Sequence, residues 1–346
     1  MRFTVVGCGA IGSAIGGHLV STGHAVQFVE KDPDRVSAIA ESGLSLQKGS
    51  ATTRTRVDIR EPKDVDSPLG IVLLAVKAQD TQACAEWCAS RLDPEAYIVS
   101  LQNGLCEETI ASLVGPERTV GAFVNFSAEV LELGLVHYVA PETFAVAVGE
   151  LDGRLSPRLT RFASQLDSFA PILLTDNIWG FLWCKLGYAN MLFATGITPE
   201  TMADVIEGFP ELMVELACEI YDVAKARGVR LEPFDNVRPE VFYPREARDS
   251  DLVGATIAKL VAHRRRNAMS RSGVWRDLAV RHVETEVDSQ LGVVIAIGEE
   301  CGLELPLTRA LVGMVHEIES GTRPMDLANV EQLEQLRQRA SIGPRV

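Results

Sequence analysis

The sequence predicts an α/β protein, with a doubly wound parallel sheet in its first half and an all-helical second half. Three observations carry this expectation. Up to about Asp176, short β-branched runs alternate with amphipathic helical stretches, the pattern of parallel strands joined by crossover helices. A glycine-rich turn separates the first such run from the first helical stretch. Beyond Asp176 nearly every segment carries a helical period, broken at prolines and glycines. The chain has 346 residues, 47% apolar and 23% charged, which suits two globular domains with separate cores and excludes disorder, collagen and coiled coil.

In chain order, residues 3–6, 26–29, 71–76 and 98–101 read as strands, and 12–21, 33–41, 81–91 and 107–113 as the helices between them. From 119 to 148 the pattern is continuous β with Gly134 as a turn; a helix at 156–170 and an apolar run at 172–174 complete a first domain of residues 1–176. The second domain, 177–341, reads as helices at 178–195, 202–206, 211–227, 252–263, 284–298, 307–319 and 327–339. Its breaks are Pro199, Pro210, Gly228, a proline- and charge-rich stretch at 233–251, residues 270–273 and Pro306. The tail from Ile342 is expected to fray.

With 33 Lys and Arg against 47 Asp and Glu, the net charge of −14 repels nucleic acids and anionic membranes. A small anion is bound only where cations or helix N-termini gather against that field, so such a site should stand out. The seven cysteines are odd in number, widely spread and set in apolar text, which is no disulfide framework and points to the reducing cytoplasm. Cys84 and Cys88 lie one helical turn apart, but no second Cys/His pair accompanies them, so no metal is expected. Neither a targeting segment nor a stretch of ~18 uninterrupted apolar residues is visible, so no membrane span is expected. Leu- and Val-rich faces of the second half allow a homodimer, although sequence does not separate such a face from a core.

Gly7-Cys8-Gly9-Ala10-Ile11-Gly12 follows the first strand and opens the first helix. In a Rossmann-type domain these glycines serve, in turn, a tight turn, a close approach to a pyrophosphate and close helix-to-strand packing, with the diphosphate over the helix N-terminus. Glu30, 18 residues past Gly12, ends the second strand, where a carboxylate accepts hydrogen bonds from an adenosine ribose and repels a 2′-phosphate. That favours NAD(H). Lys31 is the counter-argument for NADP(H), since it is placed to pair with the phosphate if Glu30 turns away.

Further along, Leu74-Ala75-Val76-Lys77-Ala78-Gln79, Leu101-Gln102-Asn103-Gly104-Leu105, Trp183-Cys184-Lys185-Leu186 and Thr285-Glu286-Val287-Asp288 follow the glycine motif in order. Together they make the chain resemble the ketopantoate reductase (2-dehydropantoate 2-reductase) family over nearly its whole length. The resemblance implies a substrate cleft between a Rossmann domain and a helical domain, and reduction of a 2-oxo acid to a 2-hydroxy acid. It also implies NADPH, against the reading of Glu30. By resemblance, Lys185 is the catalytic lysine, Glu286 the substrate-binding and catalytic glutamate, and Asn103 the asparagine beside the nicotinamide. Lys77 and Gln79 fall in the cofactor-side motif.

The chemistry suits those roles. Hydride transfer to a ketone develops negative charge on oxygen, and an ammonium both stabilises that charge and donates a proton. Lys185 lies in an aromatic, apolar helix, where an unpaired charge is costly. Asn103 is also a common turn residue before glycine. Ser272 is placed to donate to a substrate carboxylate or to cap a helix.

The substrate side departs from the family. Its lysine helix usually carries asparagines where this chain has Ala189 and Phe193. Asn190 is displaced about 100° around the helix from Ala189, so it takes over a substrate contact only if the helix is rewound. Phe193 and Trp275 would make a more apolar pocket, and Arg276 would replace a lost carboxylate contact; core aromatics and a surface arginine are the plainer readings. The open alternatives are therefore a reductase of another 2-oxo acid, an opine-type dehydrogenase, or a dinucleotide sensor without catalysis.

Overall fold

The computed structural model describes residues 1–342 apart from 67, 140, 142 and 267–269; the tail past 342 lies outside the described residues. Internal contacts divide the chain into two units, Met1–Ile178 and Trp179–Val346.

The first unit runs β1 (Arg2–Val6), α1 (Ala10–Ser21), β2 (Ala25–Val29), α2 (Pro33–Ser42), β3 (Leu44–Lys48), β4 (Ala51–Thr55), β5 (Asp58–Arg60), β6 (Ile71–Leu74), α3 (Thr81–Ala89), β7 (Ile98–Ser100), α4 (Cys106–Val114), β8 (Thr119–Val124), β9 (Ser127–Glu132), β10 (Leu135–Val139), β11 (Val146–Glu150), α5 (Pro157–Ser164) and β12 (Ile172–Leu174). The main sheet has the order β5-β2-β1-β6-β7-β8-β11-β12. From β5 to β8 neighbouring strands are parallel. β11 runs antiparallel to β8 and parallel to β12. Because β1 pairs with β2 on one side and with β6 on the other, the winding reverses between β1 and β6, where such sheets open a ligand crevice at their carboxyl edge.

Alternation within the central strands fills both faces. Phe3, Val5, Phe28, Leu73 and Val99 enter one core, and Val6, Val29, Val72, Leu74 and Ile98 the other. Strands buried on both faces read as unbroken apolar runs, which is why they were legible.

The stretch 119–148 does not add continuously to this sheet. β9 and β10 leave it to form a second sheet with β3 and β4, in the order β4-β3-β10-β9. β3 and β4 are a hairpin the sequence hid, because all of β4 but Thr55 is exposed and its polar text shows no buried alternation. Helix α1 is sandwiched between the two sheets. A Cβ on Gly16 would lie 2.7 Å from Phe28 and Val5, and one on Gly17 2.9 Å from Leu44, so each glycine lets one sheet approach.

The second unit contains α6 (Ile178–Gly196), α7 (Met202–Gly208), α8 (Pro210–Ala226), α9 (Pro239–Phe242), α10 (Ser250–Arg266), α11 (Gly273–Arg276), α12 (Val293–Glu300), α13 (Pro306–Glu319) and α14 (Leu327–Ile342). A Cβ on Gly187 would fall 2.3 Å from the Tyr221 ring, so α6 and α8 cross where a side chain is missing. The helix expected at 284–298 is corrected: its first residues are irregular, residues 288–292 form a π-helical turn, and α12 begins only at Val293. Among the described residues no helix is long and apolar enough to cross a membrane, and no three His, Cys, Asp or Glu side chains gather as metal ligands would.

Candidate active site

In the first unit the expected cofactor residues lie along the carboxyl edge of the main sheet. Gly7 turns the chain out of β1 with a φ of +95°, and a Cβ there would lie 2.9 Å from the backbone of Ala75, just past β6. Gly12 packs so closely that a Cβ would sit 2.1 Å from the Gly7 carbonyl oxygen. Gly9 differs from both. It is the N-cap of α1, and beyond its immediate chain neighbours nothing packs within 4 Å of where its Cβ would be. No side chain caps α1 and no acidic residue stands in its first turn, so the amides of Ala10, Ile11 and Gly12 have no acceptor within the helix. A glycine that faces open space over an uncapped helix N-terminus fits a dinucleotide pyrophosphate.

Glu30 is only 6% exposed, and both of its carboxylate oxygens are engaged. Oε2 accepts from the Cys8 amide at 2.9 Å and from Arg35 Nη1 at 3.1 Å; Oε1 accepts from the Lys31 and Asp32 amides at 2.8 and 3.0 Å. The carboxylate therefore pins the glycine loop to the tip of β2. Lys31 is exposed and donates to Asp80 at 2.8 Å, which raises its pKa above the usual lysine range. Lys77, Gln79 and Asn103 are exposed past the ends of β6 and β7. Gln102 joins those two ends, with Nε2 donating to the Val76 carbonyl at 3.2 Å and to Thr81 Oγ1 at 2.7 Å. The sequence reading missed Arg35, Asp80, Gln102 and Thr81. Only Gln102, inside the Leu101–Leu105 motif, carried a visible signal.

In the second unit α6 buries nearly everything around Lys185: Phe181, Leu182, Trp183, Cys184, Leu186 and Tyr188. Lys185, Ala189 and Leu192 are the partly exposed exceptions over this stretch, and their spacing places them on one face of the helix. Asn190 is corrected. It is 0% exposed and its Nδ2 donates to the Leu216 carbonyl and to Thr308 Oγ1, each at 2.8 Å. Thr308 Oγ1 in turn donates to Glu219, which also accepts the Leu307 and Thr308 amides at the start of α13. Asn190 thus ties α6 to α8 and α13 through its Nδ2, inside the core, while its Oδ1 is buried without a hydrogen-bond partner. Phe193 is likewise a core residue, 2% exposed.

Ser272, Arg276 and Glu286 lie on an irregular stretch after α10. Ser272 caps α11, its Oγ accepting the Trp275 amide at 3.1 Å. Arg276 is half-buried and ends α11. Glu286, also half-buried, sits between π-helical turns at Asp277–Arg281 and Asp288–Gly292. Such turns recur at functional positions. The segment is tied to α13 at both ends: the Thr285 amide donates to Glu319 Oε1 at 2.8 Å, and His316 Nε2 pairs with the Asp288 carboxylate at 3.0 and 3.1 Å.

Comparison with known proteins agrees over both units. A family profile described as "Ketopantoate reductase PanE/ApbA" matches residues 3–153, and its C-terminal counterpart matches residues 177–319. Among curated relatives, the 2-dehydropantoate 2-reductases of Archaeoglobus fulgidus and Halobacterium salinarum are each 27% identical, over 92% and 91% of this chain and 98% of theirs. A PanE/ApbA family ketopantoate reductase from Ralstonia eutropha JMP134 superposes with a TM-score of 0.77 at 27% identity, covering 93% of this chain and 99% of that one. A D-mandelate dehydrogenase solved with NADH and anilino(oxo)acetate shares the fold, with a TM-score of 0.78 at 20% identity over 93% of this chain and 99% of its own.

Proposed function

This chain belongs to the ketopantoate reductase PanE/ApbA family of oxidoreductases, and from that premise we propose that it reduces 2-dehydropantoate to pantoate with Lys185 as proton donor. A nicotinamide dinucleotide, when bound, would supply the hydride. The chain's own residues do the rest. The amides at the start of α1 would hold the pyrophosphate, and Asn103, exposed after β7, would contact the nicotinamide. The Lys185 ammonium donates its proton to the carbonyl oxygen as charge develops there, then takes another from water. Glu286 orients the ammonium and accepts a hydrogen bond from the substrate hydroxyl.

The observation that carries this reading is the placing of Lys185. A lysine that lies with Ala189 and Leu192 on a partly exposed stripe, while the rest of α6 from Phe181 to Gly196 is buried, is positioned for a ligand rather than for bulk water. NADH is the preferred dinucleotide in this reading. The adenosine end carries the carboxylates of Glu30, Asp32 and Asp80 against the cations of Lys31 and Arg35, and both cations are already paired. A 2′-phosphate would add negative charge to that surplus.

Ala189 and Leu192, which share the face of Lys185, favour a second reading in which the preferred acceptor is a more apolar 2-oxo acid. Oxidation of NADH and NADPH, measured separately with ketopantoate and with a panel of apolar 2-oxo acids, tests both. Ketopantoate turned over fastest with NADH is the expected result. Faster turnover of a bulkier acid replaces the substrate, and faster oxidation of NADPH removes the cofactor assignment.

A further inference from the structure

The charge balance implied that a small-anion site would be conspicuous, and the turn at residues 271–275 is. Most arginines in this acidic chain are spent on carboxylates: Arg245 on Glu215 and Asp222, Arg265 on Glu207, Arg337 on Glu334. Arg271 is not. Its guanidinium stacks on the Trp275 ring at 5.2 Å and makes no hydrogen bond or ion pair among the described residues, although Nη1 is buried. Trp275 Nε1 is buried without an acceptor too. Ser272, 5% exposed, uses its oxygen to accept the Trp275 amide and keeps its hydroxyl proton to give.

We propose that Arg271 and Trp275, with Ser272, form a clamp for the carboxylate of the 2-oxo acid. Buried donors without acceptors are destabilising and call for an explanation. These are three donors within five residues, one of them cationic, and a carboxylate offers two oxygens in one plane to receive them. The support is rigid. The Trp275 face fixes the plane of the guanidinium. Val274 packs where a Cβ on Gly196 of α6 would approach to 2.7 Å, and the Ser270 carbonyl accepts the Met202 amide at 3.0 Å. The clamp therefore stands on the helix that carries Lys185.

The inference rests on the reductase reading and deepens it, so the test separates the two. Steady-state kinetics would be run with a 2-oxo acid and with its neutral methyl ester, alongside fluorescence titration of NADH. Arg271→Ala is expected to raise KM for the acid about tenfold to a hundredfold, with ester turnover and NADH affinity unchanged. Trp275→Phe keeps the ring, removes the N–H, and is expected to raise KM for the acid alone by about threefold to tenfold. An unchanged KM for the acid in Arg271→Ala would mean that the donors receive no carboxylate, and equal losses on acid and ester would mean a structural role; either overturns the clamp. If the wild type binds NADH but reduces no 2-oxo acid, the reductase reading fails. Calorimetric titration of the acid into wild type and Arg271→Ala then decides the clamp by itself, since loss of binding in the variant supports it and equal binding overturns it.

Discussion

At the sheet edge of the first unit the candidate ligand contacts are backbone groups. They are the amides at the start of α1, reached past a Gly9 that faces open space and held in place by Glu30. In the second unit the candidate contacts are side chains on a half-buried helix face and on a stretch broken by two π-helical turns. A backbone site is fixed once strand, turn and helix follow one another, because its chemistry is the fold itself. A side-chain site is fixed only by what packs around it. Mutations should therefore separate folding from function differently in the two units.

Lys185→Ala should have the largest effect. Removing a proton donor is expected to lower kcat by about 10²- to 10⁴-fold, while NADH titrated by fluorescence binds as before, because α1 and the sheet edge are untouched. Unchanged turnover would take Lys185 out of the mechanism. It would also leave the second unit's site without its central group.

A pair of glycine substitutions comes next and probes the backbone site. Gly9→Ala puts a methyl where nothing packs within 4 Å beyond its chain neighbours, at an ordinary φ of −70°, so the melting temperature should hold. NADH affinity should nevertheless fall by about tenfold or more, since the methyl occupies the approach of the pyrophosphate. Gly12→Ala is the converse: a Cβ 2.1 Å from a carbonyl oxygen should cost about 1–3 kcal/mol of stability. Normal NADH binding by Gly9→Ala would show that no ligand approaches there.

These contrasts explain what the sequence made legible. The alternation in β1, β2, β6 and β7, the glycine turn and nearly every helix of the second unit follow from local periodicity and from proline and glycine breaks. The β3–β4 hairpin was not visible, since an exposed polar ribbon has no buried face to mark it. Asn190 misled for a related reason. Its place on the helix gave its direction, but only the presence of Leu216 and Thr308 made that direction interior. Arg35 and Asp80 escaped because nothing local distinguishes a residue that orders a loop from an ordinary polar one.

Asn190→Ala tests that correction. The substitution leaves the Leu216 carbonyl and Thr308 short of a partner in the core, and is expected to cost about 1–3 kcal/mol of stability by denaturant unfolding. KM for the oxo acid should stay put. A raised KM with unchanged stability would return Asn190 to the substrate and blur the line between core and site on α6.

The smallest effect should come from Glu319. A carboxylate in the last turn of α13 faces the negative end of the helix dipole, a place better suited to a cation. What it gains there is the Thr285 amide, one residue before Glu286. Glu319→Ala should therefore let that segment drift and raise KM for the oxo acid by about twofold to tenfold, the kinetic equivalent of part of one hydrogen bond to a charged group. Glu319→Gln keeps an acceptor oxygen and should restore the wild-type value. In a Glu286→Gln background the effect of Glu319→Ala should shrink, because a positioning residue has nothing left to position. An undiminished effect in that background would make the tie to α13 a matter of stability alone, and Glu286 would owe its placing to the π-helical turns on either side.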